Sequence, residues 1–144
     1  MKRGRWSQGL VAGLAFVGLA ALASEGEVDY RQHTMSAVGG HMQAIVDIIQ
    51  GKVPHTEHMA THAGALADLA GLAGTLFPAS SQGGDALAAI WENDEDFQSK
   101  LAAFKEAAAN FKTAAGSGDM GQISGALQQL GQACKGCHDN YRAS

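Results

Sequence analysis

One short segment near the C-terminus carries two thiols and an imidazole at a spacing that can do chemistry. It reads Cys134-Lys135-Gly136-Cys137-His138, the CxxCH pattern typical of c-type haem attachment. Two thiols three positions apart lie on neighbouring edges of one helical turn, so each can add across one vinyl group of a porphyrin. The adjacent His138 can then present its imidazole to the iron. The segment therefore predicts one covalently bound haem c, with Cys134 and Cys137 as its attachment points.

Three other uses of this cysteine pair fit the sequence less well. A redox-active CxxC usually lies on a βαβ scaffold, and no segment alternates apolar and polar residues as a half-buried strand does. A zinc site of this type would want a second cysteine pair, which the sequence lacks. A structural disulfide closing so short a loop would remove little entropy from the unfolded chain.

The elements that must position this segment are helices. Four stretches repeat apolar residues at steps of three and four, the spacing of one helical face. They cover about residues 27–50, 55–77, 94–115 and 119–141, and a polar connection at 78–91 separates the second from the third. Asn93 and Asp119 are N-cap candidates for the third and fourth stretches. The stripe of the third stretch consists of Phe97, Leu101, Phe104, Ala108 and Phe111. Four helices joined by short connections most simply pack as an antiparallel bundle. We therefore predict an all-α domain, a four-helix bundle at residues 24–144, with the CxxCH segment on its last helix.

The N-terminal segment has the parts of an export signal. Three basic residues precede an apolar run at about residues 10–22, which ends in Ala21-Leu22-Ala23, the small-x-small pattern that a signal peptidase recognises. The run is shorter than the roughly 20 residues that span a bilayer. We predict a cleaved signal peptide at residues 1–23 and a protein of the periplasm; a retained membrane anchor is the alternative.

Composition and charge exclude other classes of protein. The chain has 144 residues, 46% apolar and 17% charged, which is an ordinary balance for one globular domain. Ten Lys and Arg face fourteen Asp and Glu, and an acidic chain of this kind is not typical of a nucleic-acid binder. Removal of the predicted signal peptide takes away three cations and no acid, so the formal charge falls from −4 to −7. Because no nucleophile–base pattern is evident, we expect no enzymatic activity.

Further motifs accompany the CxxCH segment. Tyr30-Arg31-Gln32 precedes Met35 in the first helix, Gly83-Gly84-Asp85 and Ile90-Trp91 lie in the polar connection, and the chain closes with CKGCHDNYR from Cys134 to Arg142. With these motifs the sequence resembles class II cytochrome c, the cytochrome c-prime family, over essentially the whole predicted mature chain. The resemblance implies a four-helix bundle with one haem c. It also implies thioether bonds at Cys134 and Cys137, and His138 as the proximal axial ligand.

The resemblance implies roles for three more side chains. Arg31 matches a family position near a haem propionate, and Arg142 one beside the proximal face, although either could be an exposed cation instead. Met35 falls at the distal position, across the haem from His138. In one branch of the family this residue is an apolar lid over five-coordinate iron, and in another it is a Met whose sulfur ligates the iron. Met35 also lies on the apolar stripe of its helix, where Met is a common core filler.

Two functions follow from the resemblance. The one that we favour is a periplasmic electron carrier, which exchanges single electrons with redox partner proteins through its haem c. The alternative is a five-coordinate cytochrome c-prime that binds NO or CO at an open distal face. Relatives often dimerise through the first two helices, and the apolar surface of the first helix predicts a homodimer here as well. That surface consists of Val38, Met42, Ile45, Val46 and Ile49.

A row of histidines begins the second predicted helix. His55, His58 and His62 are three and four residues apart, so they lie on one helical face. Such a row can bind zinc or copper, with Glu57 as the one carboxylate close by, or it can be a solvated helix edge. The sequence leaves both interpretations open.

Overall fold

A computed structural model describes the backbone of residues 15–144 and the side chains of residues 25–144. It contains five α-helices, and 3₁₀ turns at Thr56–His58, Ala73–Thr75 and Ala79–Ser81. The helices are α1 (Ala15–Ile49), α2 (Met59–Leu72), α3 (Ala89–Glu92), α4 (Asp94–Ser117) and α5 (Met120–Tyr141). The four longer helices form the predicted four-helix bundle. Between residues 15 and 144 the only β-structure is a pair of isolated bridges at Ala86.

The predicted signal peptide lies largely outside the described part of the chain, which begins at Ala15. Cleavage after Ala23 therefore stays a prediction. Among the described residues, no helix has a stretch both long enough and apolar enough to cross a membrane.

The packing order leaves one side of the bundle with little direct helix–helix contact. α1 packs on α2, α2 on α4 and α4 on α5, whereas α1 and α5 have little direct contact with each other. The apolar stripe predicted for α4 is fully buried and supplies the centre of the core. Its members are Phe97, Leu101, Phe104, Ala108 and Phe111. The space between α1 and α5 is therefore available for a ligand that both helices contact.

The second helix is shorter than the sequence predicts. Periodicity places it at 55–77, but the α-helix ends at Leu72 and continues as a 3₁₀ turn. Gly74 lies in the 3₁₀ turn that follows Leu72. The Thr75 hydroxyl donates a hydrogen bond to the Leu72 carbonyl at 2.9 Å. Glycine lowers helix propensity and the hydroxyl satisfies a terminal carbonyl, so the helix ends before it reaches Pro78.

The beginning of α5 follows its sequence signal closely. Asp119 is the N-cap, and its carboxylate accepts hydrogen bonds from the backbone N–H groups of Gly121 at 2.8 Å and Gln122 at 3.1 Å. These bonds favour the ionised form and lower the pKa of the Asp119 carboxyl. Asn93 occupies the corresponding position before α4 but makes no side-chain capping bond. The start of α5 is therefore fixed by local chemistry, and this helix carries the CxxCH segment.

Candidate cofactor site

An apolar cavity of about 370 Å³ lies between α1 and α5. All of the site residues predicted from the sequence line this one cavity. They are Arg31 and Met35 on α1, Cys134, Cys137 and His138 on α5, and Arg142 directly after α5. Residues that are far apart in the sequence thus line one cavity between α1 and α5.

The walls of the cavity fit a flat, largely apolar group. α4 contributes Phe97, Leu101 and Phe104, and α1 contributes Val38 and Met42. Gly39 leaves part of the α1 wall without a side chain, and an added Cβ there would meet nothing within 4 Å. Two thiols and an imidazole lie on the opposite wall. This donor set, on an apolar background, fits a porphyrin held by thioether bonds and one imidazole ligand.

The two thiols lack the lowered pKa that is typical of catalytic cysteines. Cys134 and Cys137 are free and half-buried. Burial raises the pKa of both thiols, and the neighbouring Cys134 raises that of Cys137 further. Both are therefore protonated at neutral pH in the polypeptide, whereas catalytic cysteines are activated by a lowered pKa. Their place on a continuous helix also differs from the βαβ scaffold that a redox-active CxxC usually has.

His138 is held in the protonation state that a metal ligand needs. Burial lowers the pKa of its imidazole, the positive charge of Arg142 lowers it further, and Asp139 acts in the opposite direction. The imidazole is therefore neutral at neutral pH and keeps a lone pair free for coordination. The backbone carbonyl of His138 accepts the N–H of Arg142 at 3.2 Å, which carries the last helical turn up to Tyr141.

An aromatic cluster closes the end of the cavity beside α5. The ring of Tyr141 packs edge-on against Phe97 with centroids 5.1 Å apart, and Phe97 packs edge-on against Phe77 at 4.8 Å. The Tyr141 hydroxyl donates a hydrogen bond to Asp96 Oδ2 at 2.6 Å. This carboxylate opposes formation of a tyrosinate and raises the pKa of Tyr141 to about 12. Tyr141 is thus both a packed aromatic residue and a wall of the cavity. Local sequence patterns give no signal for its bond to Asp96.

Arg31 has a structural role that the resemblance does not imply. Its side chain is only 3% exposed, and one terminal nitrogen donates to both the carbonyl oxygen and the hydroxyl of Ser81, at 2.6 and 2.9 Å. The other donates to the Gly83 carbonyl at 2.8 Å. The guanidinium also lies 5.3 Å from the centroid of the Phe77 ring. These hydrogen bonds of Arg31 therefore hold α1 against residues 78–88, the part of the polar connection that precedes α3. The contact of Arg31 with a haem propionate stays a prediction.

The same connection needs glycine where it meets α1. Gly84 adopts a φ of +56°, and an added Cβ would lie 2.5 Å from Gln32 Nε2 and 3.0 Å from Val28 Cγ1. Both the backbone conformation and the close approach therefore disfavour a side chain at this position. The second glycine of the Gly83-Gly84 motif is thus explained by the way the connection packs against α1 beside Arg31.

Replacement of Arg31 by alanine should destabilise the protein by about 3 kcal/mol, because buried acceptors at Ser81 and Gly83 lose a charged donor. Arg31→Lys keeps the charge but not the planar fork of the guanidinium, so its loss of stability should be smaller than that of Arg31→Ala. Chemical denaturation of the haem-loaded protein, followed by helical circular dichroism, measures both. Equal stability of wild type and Arg31→Ala would contradict the structural role.

The histidine row divides into two groups. His55 and His58 lie with Glu57 on the exposed surface at the start of α2. His62 instead turns towards α1, where its Nδ1 is 2.9 Å from Nδ1 of His41. Burial lowers the pKa of His62, and the nearby imidazole of His41 lowers it further. The single row predicted from helical spacing is therefore two separate clusters.

Comparison with known proteins gives one consistent family. The family model described as Cytochrome C′ matches residues 26–142. A cytochrome c′ from Pararhodospirillum photometricum is 34% identical over 121 residues, which is 82% of this chain and 97% of the relative. A cytochrome c-556 from Agrobacterium tumefaciens is 37% identical over 126 residues, which is 81% of this chain and 97% of the relative.

Solved structures of similar proteins have the same fold. Cytochrome c prime from Shewanella frigidimarina superimposes with a TM-score of 0.79 at 34% identity, covering 84% of this chain and 97% of that one. The nitric oxide complex of a variant of cytochrome c prime from Alcaligenes xylosoxidans gives 0.79 at 29% identity, with the same coverage. The similarity thus extends over the whole bundle, including both walls of the cavity.

Proposed function

The chain belongs to the cytochrome c′ family, whose members bind one covalent haem c, and from this premise we propose that it is a single-electron carrier in which His138 and Met35 close both axial positions of the haem. One observation carries the proposal: Met35 and His138 line the same apolar cavity from α1 and α5, two helices that have little direct contact with each other. A thioether sulfur on one wall and an imidazole on the other are the ligand pair of many electron-transferring haem proteins.

Each side chain in the cavity has a definite task in this proposal. Cys134 and Cys137 fix the haem to α5, and the neutral imidazole of His138 ligates from the same helix. The aromatic and aliphatic walls exclude water, which lowers the local dielectric constant around the cofactor. When bound, the haem supplies one-electron exchange between ferrous and ferric iron. Arg142, directly after α5, is exposed and lines the cavity, so one edge of the site lies near the surface where a redox partner protein can approach.

A potentiometric titration of the purified haem protein tests the proposal. We expect a single reversible one-electron couple, with absorption bands of six-coordinate haem at both ends of the titration. Loss or gain of an axial ligand between the two states would count against a simple electron carrier, because ligand exchange slows electron transfer.

A second candidate function is the binding of NO or CO on the distal side. The observation in its favour is that several structures with a TM-score of 0.79 to this chain are nitric oxide complexes of cytochrome c prime. In this chain the side chain that decides between the two functions is Met35. If its sulfur only covers the haem, the distal site is open to a diatomic ligand.

We also propose that the protein works in the periplasm after export. The basic N-terminus, the short apolar run and the small-x-small site support cleavage after Ala23. Mass spectrometry of the exported protein should find the N-terminus near Ser24. An intact Met1 in the membrane fraction would favour the retained anchor instead.

The homodimer remains a proposal, and the structure reduces the surface available for it. Of the five apolar residues expected to form it, Val38 and Ile45 are buried within the chain and Met42 lines the cavity. Val46 and Ile49 are half-buried. Light scattering of the haem protein at high concentration measures its oligomeric state. A monomer would contradict the dimer proposal and would leave the haem-site proposal unaffected.

A further inference from the structure

A second cluster of ligand side chains lies on the surface at the start of α2, separate from the haem cavity. His55, Glu57 and His58 each offer one ligand atom, and these three atoms all lie within 4.8 Å of one another. All three residues are exposed, and none of them lines the cavity. From this cluster we propose a surface site for one divalent transition-metal ion, of the zinc or copper class, bound by two imidazoles, one carboxylate and water.

The backbone brings the two imidazoles together. Residues Thr56–His58 form a 3₁₀ turn, for which His55 is the N-cap. A 3₁₀ helix has three residues per turn, so side chains three apart eclipse each other instead of diverging. The rings of His55 and His58 accordingly stack, with centroids 4.9 Å apart and planes at 19°. In an α-helical turn the same residues would be offset around the axis.

The distances are close to what a metal ion requires. Two ligands of one zinc ion can be no more than about 4.2 Å apart, twice the usual zinc–nitrogen distance. Glu57 Oε1 lies 3.7 Å from His55 Nδ1 and 3.6 Å from His58 Nε2, so both pairs already meet this limit. Small rotations of exposed side chains can bring the two imidazole nitrogens within it as well.

Charge and ligand type select the class of ion. Nitrogen ligands suit zinc and copper, whereas magnesium and calcium prefer sets composed of oxygen. The Glu57 carboxylate offsets the positive end of α2, which would otherwise repel a cation. Three protein ligands leave a coordination position for water, as in open zinc sites. His62 is not part of this set, because its Nδ1 is engaged with His41.

Calorimetry of the haem-loaded protein with Zn²⁺ tests the site. We expect one Zn²⁺ per chain in the wild type, no comparable binding of Mg²⁺, and tighter binding of Cu²⁺ at the same position. Loss of supporting groups around a metal typically costs about 10–100-fold in affinity, so removal of the ligands in His55→Ala/His58→Ala should weaken Zn²⁺ binding by at least about tenfold. Glu57→Gln should give a smaller loss, since it removes the charge and keeps the shape.

A matched control separates this site from general histidine binding. His33 is an exposed histidine on α1 outside the cluster, so His33→Ala should bind Zn²⁺ as the wild type does. An unchanged haem absorption spectrum in every variant shows that the fold and the haem site are intact. Absence of Zn²⁺ binding by the wild type, or equal binding by His55→Ala/His58→Ala, would overturn the proposal. Either result would leave the electron-carrier function unaffected.

Discussion

Replacement of both Cys134 and Cys137 by alanine should leave the polypeptide without any covalently attached haem. These are the only two cysteines of the chain, and both thiols line the cavity. His138 remains in the double variant, so a residual haem could be held only by its axial bond and would be removed by acidified organic solvent. Denaturing gels stained for haem, together with intact-protein mass, measure the attachment.

Each single cysteine variant should lose only one of the two thioether bonds. Cys134→Ala and Cys137→Ala should each keep one thioether bond, so haem should stay on the chain with a shifted absorption band for its unreacted vinyl group. Complete extraction of haem from the wild type by solvent would contradict the c-type assignment. Haem that survives denaturation in the double variant would contradict the roles of these two thiols.

Met35→Ala should convert the haem from six-coordinate low-spin to five-coordinate high-spin and let it bind CO readily. Loss of the thioether also removes the ligand that raises the reduction potential, which should fall by on the order of 0.1 V, since axial ligands tune haem potentials over about 0.8 V. Absorption spectroscopy with and without CO, together with a redox titration, measures these changes.

Met42→Ala is the matched control for this experiment. Met42 lies on the same helix, is half-buried and lines the same cavity, so its removal creates a similar void without removing the proposed ligand. We expect Met42→Ala to stay low-spin. If Met35→Ala has the spectrum of the wild type, or if both variants lose the low-spin form alike, Met35 is a packing residue and not a ligand.

Features governed by local chemistry could be predicted from the sequence. The stripe of α4 from Phe97 to Phe111 follows from helical spacing, and Asp119 from the preference of N-caps for short acceptors. The CxxCH segment by itself indicates covalent attachment of haem c. The family motifs then selected Arg31, Met35 and Arg142, which all line the same cavity as His138.

Features governed by contacts between distant segments could not be predicted in this way. The bonds from Arg31 to Ser81 and Gly83 depend on how the 78–88 connection folds against α1. The pairing of His41 with His62 depends on the packing of α1 on α2, and helical spacing alone placed His62 with His55 and His58. Each is a long-range contact that no local pattern encodes.

The most direct test of the electron-carrier proposal is the spin state of the wild-type haem. Electron paramagnetic resonance of the oxidised protein and absorption spectra of both oxidation states report it without any substitution. The proposal predicts low-spin iron in both states and no CO binding at low CO concentration, because Met35 and His138 close the axial positions. A high-spin, five-coordinate haem that binds CO in the wild type would contradict it and would make the binding of NO or CO the better supported function.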